Sequence, residues 1–356
     1  MAADFQSAGG PARRPTMTPA TGVREFPLLP HETVQRNTPA GDLFVLAHLG
    51  IPQIDLGSWS LSVDGLVDRA VSLSLDDLQA RPKRVIEAVH QCSGNPLEPL
   101  RPTRRVANVR WGGTDLAPLL HELGLDPSAG FLWSYGADHG TFLGRQCDGY
   151  VKDLPLTRLV EGDVLLAWEL DGAPLTAEHG FPLRLVVPGF YGTNSVKWLS
   201  RLHISDRRAE GLFTTELYND PADRDGHAGK LRPVWEIRPE ALIVAPPPAT
   251  ELPPGLPCTV WGWAWSDDGI SRVEVSTDCG RSWHAATLER RTGRGWQRYS
   301  HVWKPEKPGT TELRARAFDV SGACQPEDGT RNAVHRVMVR VRQGAFNCGR
   351  FDTSEP

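Results

Sequence analysis

Cys92 stands where a run of buried-type residues, Val85, Ile86, Ala88 and Val89, gives way to Ser93, Gly94 and Asn95, which end strands in turns. A thiol at that junction is held by a sheet on one side and open to a ligand on the other. It can serve as a metal-binding thiolate or as the small buried apolar group that most free cysteines are, and the stretch alone leaves both open. Further along, His179 and Arg184 precede and Lys197 follows a loop, 188–194, that leaves a short apolar strand over 183–187. Two glycines and Asn194 let that loop curl and aim backbone N–H groups inward as an anion nest. Three potential cations and a nest at one place suit a phosphate; the plainer alternative is that Arg184 and Lys197 are solvated charges flanking a core strand.

The elements that must position these groups follow from pattern. Residues 59–65 alternate and end in Asp-Gly, a strand running into a turn. A short helix is expected from Leu75, capped by Ser74 and stopped before Pro82. Leu116, Leu119, Leu120 and Leu123 share one helical face that Gly124 closes. Strands are expected over 131–135, which releases into a turn carrying Asp138 and His139, and from Leu165 into the turn at Asp171. Three prolines and three arginines make 96–105 an irregular loop, a natural pocket wall. Tyr218 lies in a polar, irregular stretch, where a tyrosine usually packs with its hydroxyl wet. Beyond the proline-dense 246–257, short alternating strands separated by turn clusters signal an all-β sandwich. Trp261, Trp263 and Trp265 place three rings on one face of it, as core or as a subunit contact.

The bulk numbers bound the function. A chain of 356 residues holds two domains, and 40% hydrophobic with 23% charged residues is ordinary for a globular protein. The net charge of −4 is interspersed, so neither a nucleic-acid nor a membrane partner is expected. The six cysteines, Cys92, Cys147, Cys258, Cys279, Cys324 and Cys348, form no Cys-x-x-Cys pair, which argues against zinc and covalent haem. Sparse thiols fit a reducing compartment. Arg13-Arg14 lacks the apolar run of an export signal, so a cytoplasmic location is expected, with a periplasmic one left open.

Gln91-Cys92-Ser93-Gly94-Asn95, the span His179-Gly-Phe-Pro-Leu-Arg184 through Ser195-Val-Lys197-Trp-Leu, and Gly262-Trp-Ala-Trp with Val273-Glu-Val-Ser276 together resemble the sulfite oxidase family of molybdenum enzymes. The resemblance covers nearly the whole chain after its first residues. It implies an α+β fold: a disordered lead-in (1–24), a mixed α/β molybdopterin-binding catalytic domain (25–236), an immunoglobulin-like dimerisation sandwich (237–346) and a tail (347–356). It further implies Cys92 as the single protein ligand to molybdenum, and cofactor contacts from Phe44, Val45, His48, Asp138, His179, Arg184, Ser195, Val196 and Lys197. Tyr218 falls at the family's active-site tyrosine. The implied cofactor is molybdenum-molybdopterin without haem; the implied partners are a small oxyanion substrate, a separate electron acceptor and a second copy of the chain. The implied reaction converts sulfite to sulfate.

Two departures bear on substrate. The family holds its anion with one arginine after the Phe-Val pair and another shortly after the Cys-x-Gly-Asn turn, where this chain has Leu46 and Pro96-Leu97. Arg101, Arg104 and Arg105 are the candidates to replace them. Without them, a different substrate, such as a sulfoxide reduced in the reverse direction, becomes the competing expectation. A β-sandwich interaction protein without catalysis is the alternative from another class.

Overall fold

The computed structural model describes residues 15–19, 28–94, 104–221 and 231–343. The chain forms two compact units: Met1–Pro27, Asn37–Ser93 and Arg105–Ile237 make one, Leu28–Arg36, Gly94–Arg104 and Arg238–Pro356 the other. The expected catalytic domain is therefore not one uninterrupted stretch from 25 to 236. The reason is local to the second unit. The Thr33 carbonyl accepts from Trp263 Nε1 at 2.7 Å, Arg36 donates to the Trp296 carbonyl at 3.3 Å, and the buried Arg104 faces the buried Glu240 at 3.8 Å.

In the first unit, one five-stranded sheet runs in the order Val151–Pro155, Phe131–Gly136, Leu199–Ser205, Leu61–Gly65, Val71–Leu73, with only Leu199–Ser205 and Leu61–Gly65 parallel. A second, antiparallel sheet runs Ala173–Pro174, Leu165–Leu170, Val106–Asp115, Arg84–Gln91, and Arg184–Val186 also pairs with Leu165–Leu170. Both of its faces are covered. Leu166 and Trp168 join one apolar cluster while Leu165, Ala167 and, past a bulge between Ala167 and Glu169, Leu170 join another. A strand buried on both faces reads as an unbroken apolar run, which is why Leu165–Leu170 shows no alternation.

The two helices are short. Ser74 accepts the Asp77 N–H at 3.1 Å and the Asp77 carboxylate returns to the Ser74 N–H at 2.8 Å, a reciprocal cap on Leu75–Gln79. Leu116–Leu123 begins at the first leucine of the apolar stripe, directly after the strand that extends to Asp115; its four leucines are buried and Gly124, at φ +69°, ends it. Among the described residues no helix is long and apolar enough to cross a membrane.

The second unit is a β-sandwich. Glu240–Ala245, Cys258–Trp265, Gln297–Trp303 and Thr287–Leu288 form one sheet; Glu251–Leu252, His335–Val341, Gly309–Asp319, Ile270–Ser276 and His284–Ala285 form the other. Val260 and Ala264 point into the shared core with Val273, Val275, Leu313 and Val337. The alternate tryptophans face the opposite way into a packed layer of this same unit. Trp263 stacks on Trp296 at 4.9 Å, Trp265 packs on Trp296 at 6.1 Å, and Trp261 is covered by Arg298.

Candidate active site

The site lies within the first unit, on a partly open cavity of about 90 Å³. Cys92 follows directly on the sheet-edge strand Arg84–Gln91, and its N–H donates to the Arg105 carbonyl at 2.9 Å, which prolongs the ladder by one rung. The half-buried side chain thus enters the cavity from a rigid edge.

The opposite wall is built by the segment from His179 to Trp198. Arg184, 3% exposed, donates to the His179 and Ser195 carbonyls, both at 3.1 Å, and lies over the Trp111 ring at 4.5 Å. Lys197 donates to the Glu178 carbonyl at 2.9 Å, and Trp198 Nε1 donates to the Ala177 carbonyl at 2.7 Å. The Ser195 hydroxyl accepts the Val187 N–H at 3.1 Å. The loop is not the expected nest, because several of its N–H groups are engaged elsewhere: Phe190 with the Val187 carbonyl, Tyr191 with Trp235, Asn194 with Tyr191 and Ser195 with Gly192. Side chains must therefore supply the donors.

Electrostatics shows what those side chains await. Burial pulls Arg184 down to about 9, and burial followed by the nearby Arg184 charge pulls Lys197 down to about 7. His179 falls to about 4, through burial first and then Arg184 and Lys197. Among the described residues no carboxylate stands within 4.0 Å of Arg184 or Lys197, and Arg184 Nε is buried without a hydrogen-bond partner. Asp138 and Glu178 offset the Lys197 shift only in part, so a buried Arg184 beside a half-buried Lys197, with no carboxylate in direct contact, fits a phosphate arriving between them. Near Lys197, Asp138 is 2% exposed; burial raises its carboxyl to about 7, against the opposing pull of Lys197, and its Oδ1 has no partner among the described residues. A carboxyl that keeps its proton near neutrality suits a polar heterocycle better than a second anion. A Cβ at Gly136 would stand 2.3 Å from that oxygen, so glycine there is what lets the carboxyl sit.

The third wall is aromatic. His48 Nε2 and the Tyr218 hydroxyl are 2.5 Å apart, and the imidazole packs on Phe142 at 4.6 Å and lies parallel to Phe213 at 5.7 Å. Burial, then repulsion from Lys197, holds His48 at about 4, so it is neutral near pH 7. Burial, then the neighbouring Cys92, pushes the Tyr218 phenol up, so it keeps its proton.

Of the residues expected from sequence, Phe44, His48, Cys92, Asp138, His179, Arg184, Ser195, Val196, Lys197 and Tyr218 all line this one cavity. Val45 is buried in the core and does not line it. Arg104 does not line the cavity; it faces Glu240, with both side chains at most 3% exposed. Arg105 is near enough to Tyr218 to favour its ionisation, and Arg101 lies outside the described residues. Leu46, expected at the substrate end, lines the cavity too, and the cavity also takes in Ala47, His90, Tyr150, Glu178 and Thr193, which sequence reasoning did not select. His90 carried a signal, since residues two apart on a strand share a face. Tyr150 and Thr193 carried none.

Two family models account for most of the chain: the oxidoreductase molybdopterin binding domain over residues 48–213 and the Mo-co oxidoreductase dimerisation domain over residues 232–341. A molybdopterin-dependent oxidoreductase is the class these matches and the site define. Sulfite oxidase of Gallus gallus is 33% identical over 320 residues, 82% of this chain and 68% of that protein. Sulfite oxidase of Arabidopsis thaliana is 30% identical, covering 85% of this chain and 88% of that one. The chain spans 59% of the Drosophila melanogaster mitochondrial enzyme, to which it is 29% identical. Among solved structures, the sulfane dehydrogenase SoxCD of Paracoccus pantotrophus superposes with a TM-score of 0.75 at 25% identity, over 96% of this chain and 92% of that one. The chain belongs to the sulfite oxidase family.

Proposed function

We propose that this enzyme oxidises sulfite to sulfate, with water as the oxygen source and the two electrons passed to a separate acceptor. Sulfite and water then give sulfate, two protons and two electrons. The observation that carries the reading is the convergence, on one cavity, of the Cys92 thiol, the Arg184, Lys197 and His179 cluster, and the Tyr218–His48 pair. When bound, the molybdenum-molybdopterin group supplies two-electron oxygen-atom transfer at a sulfur-ligated metal.

The chain's own residues do the rest. Cys92 offers one thiolate from a fixed strand end. Arg184 and Lys197 would hold the phosphate of the pterin, and Asp138, part-protonated near neutrality, would give or accept a hydrogen bond to the same group. Tyr218 orients a water or a substrate oxygen, and neutral His48 behind it fixes the Tyr218 hydroxyl through their hydrogen bond. The dimerisation domain supports a homodimer; light scattering on the purified protein measures it.

One observation favours a second substrate. Leu46 lines the cavity where a substrate-binding arginine is expected, and a pocket with fewer cations holds a dianion less well. A neutral sulfoxide, reduced in the opposite direction, fits that wall. Steady-state assays on molybdenum-loaded protein decide between them. Sulfite turnover with an artificial electron acceptor is expected; turnover of sulfoxides alone would overturn the sulfite reading.

A further inference from the structure

Lys152 is a buried charge that the reaction above does not use. It lies on the strand Val151–Pro155 with 1% of its surface exposed. The next residue, Asp153, faces away from it, as alternate residues of a strand do, and is held through both carboxylate oxygens by Arg208, at 2.7 and 3.1 Å. Among the described residues no carboxylate stands within 4.0 Å of the Lys152 ammonium. Nζ instead donates to the Phe213 carbonyl at 3.0 Å and lies over the Tyr218 ring, 5.5 Å from its centroid. Burial, the larger effect, pulls the ammonium down to about 8, so most of it is charged at pH 7. A cation so placed gives up its hydration for one carbonyl and one aromatic face, a cost that a leucine in the same space would not carry.

Both contacts belong to the segment that presents Tyr218. Phe213 sits in the π-helical turn Leu212–Glu216, a rare form that is frequent at functional sites. Tyr218, just past it, has φ +56°, a left-handed backbone that a bulky side chain seldom adopts and that persists only when its surroundings over-determine it. Asn219 Nδ2 donates to the Thr214 and Leu217 carbonyls at 2.9 and 2.8 Å, and the Val234 N–H donates to the Tyr218 carbonyl at 2.9 Å. These bonds fix the backbone, while the ring is set by what touches it: His48 at the hydroxyl, 2.5 Å away, and Lys152 on the face. Tyr150, two residues before Lys152, is engaged elsewhere. Its ring packs on Phe213 at 4.5 Å, and its hydroxyl oxygen is 2.6 Å from Thr193 Oγ1 and 2.9 Å from the Thr193 carbonyl oxygen.

We propose that Lys152 is a positioning residue: its ammonium, tethered to the Phe213 carbonyl, holds the face of the Tyr218 ring so that the hydroxyl stays turned to His48 and to the reacting oxygen. The proposal rests on the sulfite reading of the site. An aromatic face attracts a cation through its quadrupole, so the contact has a direction that an apolar one lacks. Swinging the ring aside loses the ammonium and the His48 hydrogen bond together. No bond forms or breaks at Lys152, which acts through the tyrosine alone.

The test is a double-mutant cycle on purified, molybdenum-loaded enzyme with Lys152→Met, Tyr218→Phe and both together, metal content being measured for each. Methionine keeps an unbranched chain and drops the charge, a replacement that buried charges commonly tolerate. Lys152→Met is expected to lower kcat for sulfite about tenfold, the order of one lost cation–ring contact in the transition state, with KM changed less than about twofold. In the Tyr218→Phe background the same change is expected to lower kcat less than about twofold, because the hydroxyl that Lys152 positions is gone. An undiminished fall there overturns the proposal, since Lys152 would then act without the Tyr218 hydroxyl. So does a Lys152→Met enzyme with unchanged kcat. Independently, the Lys152 side-chain proton signals of the same purified protein, assigned by their loss in Lys152→Arg, are expected to be shifted upfield by the ring in wild type and in Tyr218→Phe, and to lose that shift in Tyr218→Leu. Lysine signals that are the same in Tyr218→Leu as in wild type overturn the contact and the proposal with it. If no form turns over sulfite, the substrate reading fails, while the lysine signals still decide whether the ammonium holds the ring.

Discussion

Cys92 is one half-buried sulfur at the end of a sheet-edge strand, and its replacement by serine separates ligation from folding. Cys92→Ser is expected to lower turnover at least about 100-fold, the upper end of what losing even an outer-shell partner of a metal costs. Its urea midpoint should stay that of wild type; retained activity would remove Cys92 from the site. Asp138 makes a pH prediction. Its carboxyl is raised from 3.8 to about 7 by burial, so the folded, cofactor-free protein binds that proton more tightly than the unfolded chain does. The stability it contributes is full below pH 3.8 and lost as the pH rises to about 7, on the order of 4 kcal/mol at most. In Asp138→Asn the fall in urea midpoint between pH 4 and 7 should flatten relative to wild type; parallel curves would show the carboxyl to be solvated. Residues of this kind were readable in advance only where their type is rare. A cysteine before a turn or an arginine beside a glycine loop stands out, while Tyr150 and Thr193 are ordinary residues whose meaning comes only from each other.

At the scale of elements, loop 188–194 meets the Cys92 strand through Gly192. A Cβ there would stand 2.9 Å from His90 Cε1 and 3.2 Å from the Gln91 carbonyl. Gly192→Ala should push the loop off the strand at a cost of about 1–3 kcal/mol, as overpacking does. Molybdenum content should fall with it; a variant that loads normally would show that the contact yields. Periodicity exposed strands and the Leu116 helix because burial follows it directly, while the Leu75 helix is legible from its Ser74 cap. It did not expose what the loop's backbone does. Glycines promised free N–H groups, but a tight 3-10 turn over Gly192–Asn194 and the Trp235 carbonyl take several of them, and neither competitor is visible in a stretch read alone.

For the molecule as a whole, the least legible feature was the assignment of 28–36 and 94–104 to the second unit, since Thr33 meets Trp263 and Arg104 meets Glu240 only after folding. Arg104→Ala leaves Glu240 buried without that charge and is expected to cost about 3–5 kcal/mol. Differential scanning calorimetry measures it, and the KM for sulfite should not move. A raised KM with unchanged stability would return Arg104 to substrate binding. The two cords that tie Lys197 to Glu178 and Trp198 to Ala177 bear on how the finished protein acquires its cofactor. They sew the Lys197–Trp198 wall of the cavity into shape before any guest arrives, so its ordering entropy is settled during folding, not at association. Calorimetric loading of the empty protein should therefore resemble a key entering a cut lock, with a heat-capacity change no larger than the cavity's own surface accounts for.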